Sequence, residues 1–170
     1  TFERQVGKVT FSTALPSQQR AAASARAVVR PKQKVRVTGT VDVSGRGENQ
    51  QGGELRILAE VIGLNQAKID ASGDSGGGLV LVGGSYFGDK LSLAERETLG
   101  VRYADQVIQA AQETVVVDSE IQADALSNGS GGQVVIRAED KAAIQAKISV
   151  RGERGLVDTS GLNQLVLDAD

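Results

Sequence analysis

Residues 68–84 read KIDASGDSGGGLVLVGG. A short alternating strand (Ile69, Ala71) runs into a turn of Gly, Asp and Ser, and a second apolar strand leaves it. The second half recurs twice, as GGELRILAE (52–60) and GGQVVIRAE (131–139), beside GGGLVLVGG at 76–84. Each is two glycines, one residue, then apolar-x-apolar-x-small. The matched positions are Leu55, Leu79 and Val134, then Ile57, Leu81 and Ile136, then Ala59, Gly83 and Ala138. A fourth copy, NQLVLDA (163–169), aligns Leu165, Leu167 and Ala169 but lacks the paired glycines.

Each copy has a companion strand upstream: TVDVSG (40–45), KIDASG (68–73), EIQADA (120–125) and KISVRG (147–152). Their matched pairs are Val41/Val43, Ile69/Ala71, Ile121/Ala123 and Ile148/Val150. Alternation at period two turns one face inward and the other outward. From companion strand to glycine-led strand the gaps are 14, 10, 13 and 17 residues, a variation that surface turns tolerate. From Ala59 to Ile69 and from Ala138 to Ile148 the interval is ten residues both times. That constancy predicts a second corner and a short third strand, at Val61–Gly63 in one copy and around Ile144 in the other. Units of about 24–31 residues built this way cannot bury their apolar face alone and must stack. The expectation is a parallel β-helix of about four to six coils, roughly 4.8 Å apart, with aliphatic ladders inside. A β-sandwich of antiparallel hairpins explains the alternation but not the recurrence of equivalent residues.

Composition narrows the chemistry. The Gly-Asp-Ser-Gly-Gly around Ser75 also surrounds the nucleophile of trypsin-like proteases, yet the chain has no His to act as base and no Cys. The six residues 73–78 read instead as a turn. Only five residues are aromatic (Phe2, Phe11, Phe87, Tyr86, Tyr103), so the core is Val, Ile, Leu and Ala. With 21 Gly and 2 Pro, the chain has the makings of many tight turns between regular strands. A net charge of -2 argues against general nucleic-acid binding. Residues 1–36 nevertheless carry eight basic side chains against Glu3 alone. No apolar run is long enough to span a bilayer, and stable membrane insertion is not expected. The chain contains no Met, which fits a segment cut from something longer. No metal, cofactor or catalytic motif is read.

The repeat is interrupted once. Gly83 to Ile121 spans 38 residues where ten would serve. Ser92-Leu-Ala-Glu95 fits a capping box, and Ala104, Val107, Ile108 and Ala111 follow the helical i, i+3, i+4, i+7 rule. These predict a lateral insertion around 84–112 with a short flanking helix, the repeat resuming at TVVVD (114–118). The insertion gathers Tyr86, Phe87, Arg96, Arg102 and Tyr103, which are the candidate partner-binding residues, since loops on a rigid scaffold often carry binding. The rings also suit anchoring the insertion to the wall behind it. Residues 1–34 read as an N-terminal extension or first irregular coil, and 35–170 as the β-helix.

The run KIDASGDSGGGLVLVGGSYFGD resembles filamentous-haemagglutinin-like exoproteins of Gram-negative bacteria. In those, an I-x-A-S-G strand leads through a glycine-rich turn to V-x-V-G-G and an aromatic-glycine pair. TVVVDSEIQADALSNGSGGQVVIRAEDKAAIQAKISVRG looks like the rest of that pattern. The likeness covers 68–152 well, 35–67 by repeat logic, and 1–34 hardly at all; the segment around 88–110 departs from it. The resemblance implies an interior segment of right-handed parallel β-helix in a very long secreted or surface protein, exported by two-partner secretion through an outer-membrane transporter. It implies a location outside the outer membrane, on the cell surface or released.

Three functions follow. The first is a non-catalytic structural and adhesive segment. The second is a specific binder of a host surface protein, glycan or haem carrier through the insertion. The third is a polysaccharide-acting enzyme, for which the outward acids would be Asp42, Asp70 and Asp124, with Asp42 and Asp70 on neighbouring coils.

Overall fold

The computed structural model describes residues 2–5, 8–12, 32–86, 92–101 and 108–169. The N-terminal segment holds β1 (Phe2–Gln5), β2 (Lys8–Ser12) and β3 (Lys34–Asp42). Next come β4 (Glu54–Leu58), β5 (Val61–Asp70) and β6 (Leu79–Val82), then a six-residue helix α1 (Leu93–Thr98). The C-terminal part holds β7 (Glu113–Gln122), β8 (Gln133–Ala138), β9 (Lys141–Ser149), β10 (Leu156–Gly161) and β11 (Gln164–Ala169). The protein is all-β, and from β2 onward its strands alternate between two sheets. One sheet runs β1-β2-β4-β6-β8-β10, the other β11-β9-β7-β5-β3. Every pairing is parallel except β1 with β2.

The register lines up aliphatic side chains across each sheet. In the first sheet one column is Val9, Leu55, Val80, Val134 and Val157; its neighbour is Phe11, Ile57, Val82, Ile136 and Thr159. In the second sheet the companion strands align Val41, Ile69, Ile121 and Ile148, as their alternation requires. A further column holds Val37, Leu64, Val116, Ile144 and Leu167. The two sheets face each other through these residues, which from β2 to β9 form one core cluster, while Val157 and Leu167 at the C-terminal end of the columns are exposed. Burying each Ile or Leu contributes about 1.5–3 kcal/mol. Thr114 is polar and fully buried, and its hydroxyl donates to the Arg137 carbonyl at 2.7 Å.

Two expected alignments are corrected. Leu79 does not join Leu55 and Val134; it pairs with Glu54 and Gln133, and Val80 takes the column. The turn supplies three glycines where the other copies have two, so the repeat can be framed two ways, one residue apart. A slip of one residue reverses the faces. Leu79 and Leu81 therefore point away from the central core. The fourth copy is also reassigned. NQLVLDA is β11 and lies beside β9 in the second sheet, whereas the glycine-led column ends in LVDTSG (156–161), where Val157 meets Val134.

The third strand exists, but it is the first half of a longer one. Val61 and Ile69 belong to a single strand, β5, bent at Gln66 (φ 52); β7 bends likewise at Asp118 (φ 48). The equal ten-residue intervals hide two compensating differences. From Ile57 to Val61 is four residues, while from the matched Ile136 to Lys141 is five; from Leu64 to Ile69 is five, while from Ile144 to Ile148 is four.

The insertion leaves at Gly83 and returns at Ala111. Gly83 N–H donates to Ile57 O at 3.0 Å, and Ala111 N–H donates to Gly83 O at 2.9 Å, so its base is pinched shut. At Gly83 φ is +74, and a Cβ there would collide with Arg137 O and Thr114 Oγ1; the exit needs glycine. The capping box forms: Ser92 accepts from Glu95 N–H, and the Glu95 carboxylate accepts from Ser92 N–H at 2.8 Å. The expected helical face does not extend through Ile108 and Ala111. Ala104 and Val107 lie outside the described residues, while Ile108 and Ala111 are non-helical and fall in different clusters, the first under the insertion and the second in the central core. Most of the expected N-terminal extension also lies outside the described residues; β1 and β2 extend the first sheet.

Candidate functional site

The GDSGGG turn is a hub of structural hydrogen bonds. Asp74 accepts from Asn49 N–H at 2.8 Å and from the Ser127 hydroxyl, which tie it to the turns on either side. These bonds hold its carboxyl below the usual carboxylate range. Ser75 Oγ donates to Asn49 O at 2.9 Å. No imidazole exists to take that proton, and the serine joins two turns. Gly77 shows why the run is glycine: a Cβ there would run into Ala123 O and Gly132 N of the neighbouring turn.

The three carboxylates considered for polysaccharide chemistry part company. Asp42 and Asp70 are register partners in β3 and β5. Each closes a turn, accepting the N–H two residues on: Ser44 for Asp42 and Ser72 for Asp70, both at 2.9 Å. The Ser44 bonds lower the Asp42 pKa, and Asp70 is also ion-paired with Arg46. Asp124 is corrected from an outward to a buried position, 2% exposed. Its burial pushes the pKa up, but bonds from Ser149 Oγ, Arg151 N–H and the Arg151 guanidinium outweigh this and lower it overall. A carboxylic acid that donates a proton at neutral pH needs the opposite shift. Around Asp42 and Asp70 a shallow groove of about 220 Å³ also takes in Thr40, Lys68, Glu120 and Gln122. In it the register sets Lys68 beside Glu120, and Glu120 beside Lys147.

The insertion builds a different surface. Leu79, Leu81 and Val135, on the outer face of the first sheet, are buried under Val101 and Ile108, with Tyr86 and Leu58 packed alongside. Tyr86 is half-buried; burial, then the charge of Asp158, raises its hydroxyl pKa. Arg96 lies in the last turn of α1, half-buried. Phe87, Arg102 and Tyr103 lie outside the described residues. Of the five candidate partner-binding residues, Tyr86 thus faces the wall of the sheet, and Arg96 is carried on the capped helix.

A cleft of about 220 Å³ opens between the end of α1 and the turn before β8, lined by Glu97, Leu99, Gly100, Ser130, Gln133 and Arg154 among others. Gln133 Nε2 donates to Gly100 O across its floor. Leu99 is 44% exposed here. Sequence reasoning missed this cleft: its walls come from three separate stretches, 97–100, 130–133 and Arg154, which only the fold brings together. Among the described residues no group of three or more acidic side chains is placed to hold a metal ion. Neither a scan of protein-family models nor a search of curated proteins finds a match to this chain.

Proposed function

We propose that this chain is a right-handed parallel β-helix of the filamentous-haemagglutinin-like kind, and a structural and adhesive segment of a large secreted or surface-exposed bacterial exoprotein. The observation that carries the fold is the alternation of strands, from β2 onward, between two sheets of parallel pairings, with aliphatic columns through the central strands of each. A chain that shuttles between two parallel sheets in this order winds as a helix of strands, and parallel crossovers are right-handed in the great majority of cases. A third line of parallel bridges, Gly45 to Gly73 to Ala125, fits the turn side of such coils. An experimental structure in which Leu55, Val80, Val134 and Val157 fail to form one column would overturn the fold.

The adhesive role rests on how the polar groups are used. The acids of the turns hold backbone N–H groups and neighbouring turns, and the insertion carries the exposed Leu99 beside a cleft. Export through an outer-membrane transporter accompanies this role by the family resemblance. Polygalacturonate and related acidic glycans, incubated with the chain with and without calcium, should remain uncleaved; turnover would overturn the non-enzymatic reading.

A second reading, specific binding of a host protein, glycan or haem carrier, is favoured by the cleft beside Leu99. Joining Gly83 directly to Ala111 removes the insertion across a gap already closed by one hydrogen bond. Leu79, Leu81 and Val135 are replaced by Thr in the same variant to keep the uncovered face soluble. If attachment to host cells disappears while the β spectrum survives, the insertion is the binding element; if attachment persists, the coil wall carries it.

A further inference from the structure

We infer that Asn128 is a site of self-modification, the side-chain amide closing onto the backbone nitrogen of Gly129. The chain has four asparagines, Asn49, Asn65, Asn128 and Asn163, and only Asn128 precedes glycine; Gln follows each of the others. Asn128 is exposed, in the turn between β7 and β8. Its side-chain amide bonds to none of the described residues, and neither does the Gly129 N–H. Toward the described residues, the attacking nitrogen and the amide of the electrophilic carbon are therefore both uncommitted. Glycine adds no Cβ to screen that nitrogen, and Gly129 holds φ at +95, a conformation that other residues rarely adopt. Asn163 is the contrast: its Nδ2 donates to Asp140 at 3.0 Å.

The step balances within the chain and water. Gly129 N bonds to Asn128 Cγ as the Cγ–Nδ2 bond breaks, and Nδ2 leaves as ammonia with the proton that Gly129 gives up. Water then opens the succinimide at either carbonyl, leaving an aspartyl or an isoaspartyl linkage. Both add a negative charge close to Asp74. The isoaspartyl form also adds a main-chain carbon to a turn clamped on both sides. On one side Asp74 O accepts from Ser127 N–H at 3.0 Å and Asn128 N–H at 3.3 Å; on the other Gly129 O accepts from Glu153 N–H at 3.1 Å. This chemistry is independent of the proposed adhesive role.

Peptide mapping by mass spectrometry tests it on the intact folded chain, held in mildly alkaline buffer at physiological temperature and sampled over weeks. The peptide bearing Asn128 should gain a single mass unit and split into two chromatographic forms, one of them methylated by an isoaspartyl methyltransferase. The peptides bearing Asn49, Asn65 and Asn163 should stay unchanged. Asn128→Ser should abolish the mass gain. The inference is overturned if the folded chain keeps Asn128 intact over a period in which the denatured chain converts it.

Discussion

The two faces of the first sheet are both apolar near β6, yet they are built in different ways. Inward, Val80 and Val82 sit in columns shared with β4 and β8, and these columns meet the second sheet. Outward, Leu79, Leu81 and Val135 are just as buried, but under one excursion of chain that no other unit repeats. Removing an inward side chain opens a cavity between neighbours fixed on all sides. Removing an outward one loosens a cover that can settle. Equal burial therefore does not imply equal cost.

Truncation sharpens that contrast first. Ile57→Ala and Ile136→Ala, both at fully buried positions, should each lower the unfolding free energy by about 2–5 kcal/mol in urea titration. Leu81→Ala should fall at the low end of that range, about 2 kcal/mol, and should speed protease cutting within 84–110 more than within the strands. Equal losses and equal cutting would show the two faces to be one core.

Gly83→Ala attacks the junction between the faces. The positive φ and the collision with Arg137 O together should cost about 1–3 kcal/mol, with a fall in melting temperature. Asp124→Ala leaves the Arg151 N–H and Ser149 hydroxyl without their acceptor and should cost about 1–3 kcal/mol.

The same carboxylate gives a pH signature. Its folded pKa is depressed, so its stabilising contribution is present above the unfolded value of about 3.9 and is lost as pH falls through the folded value. Asp74 and Asp42 have the same sign. Stability should be level near neutrality and fall below about pH 4, and Asp124→Asn should flatten part of that fall. The smallest effect is expected at Ser75→Ala, about 1 kcal/mol or less in the same titration, because the hydroxyl makes a single exposed bond to Asn49 O.

Much of the fold was legible because the companion strands are apolar on one face only. Val41, Ile69, Ile121 and Ile148 alternate with Thr, Asp, Lys, Glu, Gln or Ser, so only one register buries them. LVLV offers no such contrast: all four residues of β6 are buried, and the extra glycine leaves the frame open. The last glycine-led strand was hidden for the opposite reason. VDTSG reads as a turn and QLVLDA as a strand, but both are strands, in different sheets. At the candidate site, the capping box at Ser92 was legible because its donors and acceptors lie within four residues. The cleft beside Leu99 was not, because Arg154 and Gln133 reach it only through the fold.

By itself the sequence determined the period-two alternation, the repeated unit and the turns that need glycine. Those depend on residues adjacent in the chain and on the sterics of single positions. Tertiary structure decided which face of β6 lies inward, which strand ends each sheet, and that Asp124 is a buried acceptor. Those outcomes depend on what packs from other units, and a side chain's partners a repeat away leave no mark on its immediate neighbours.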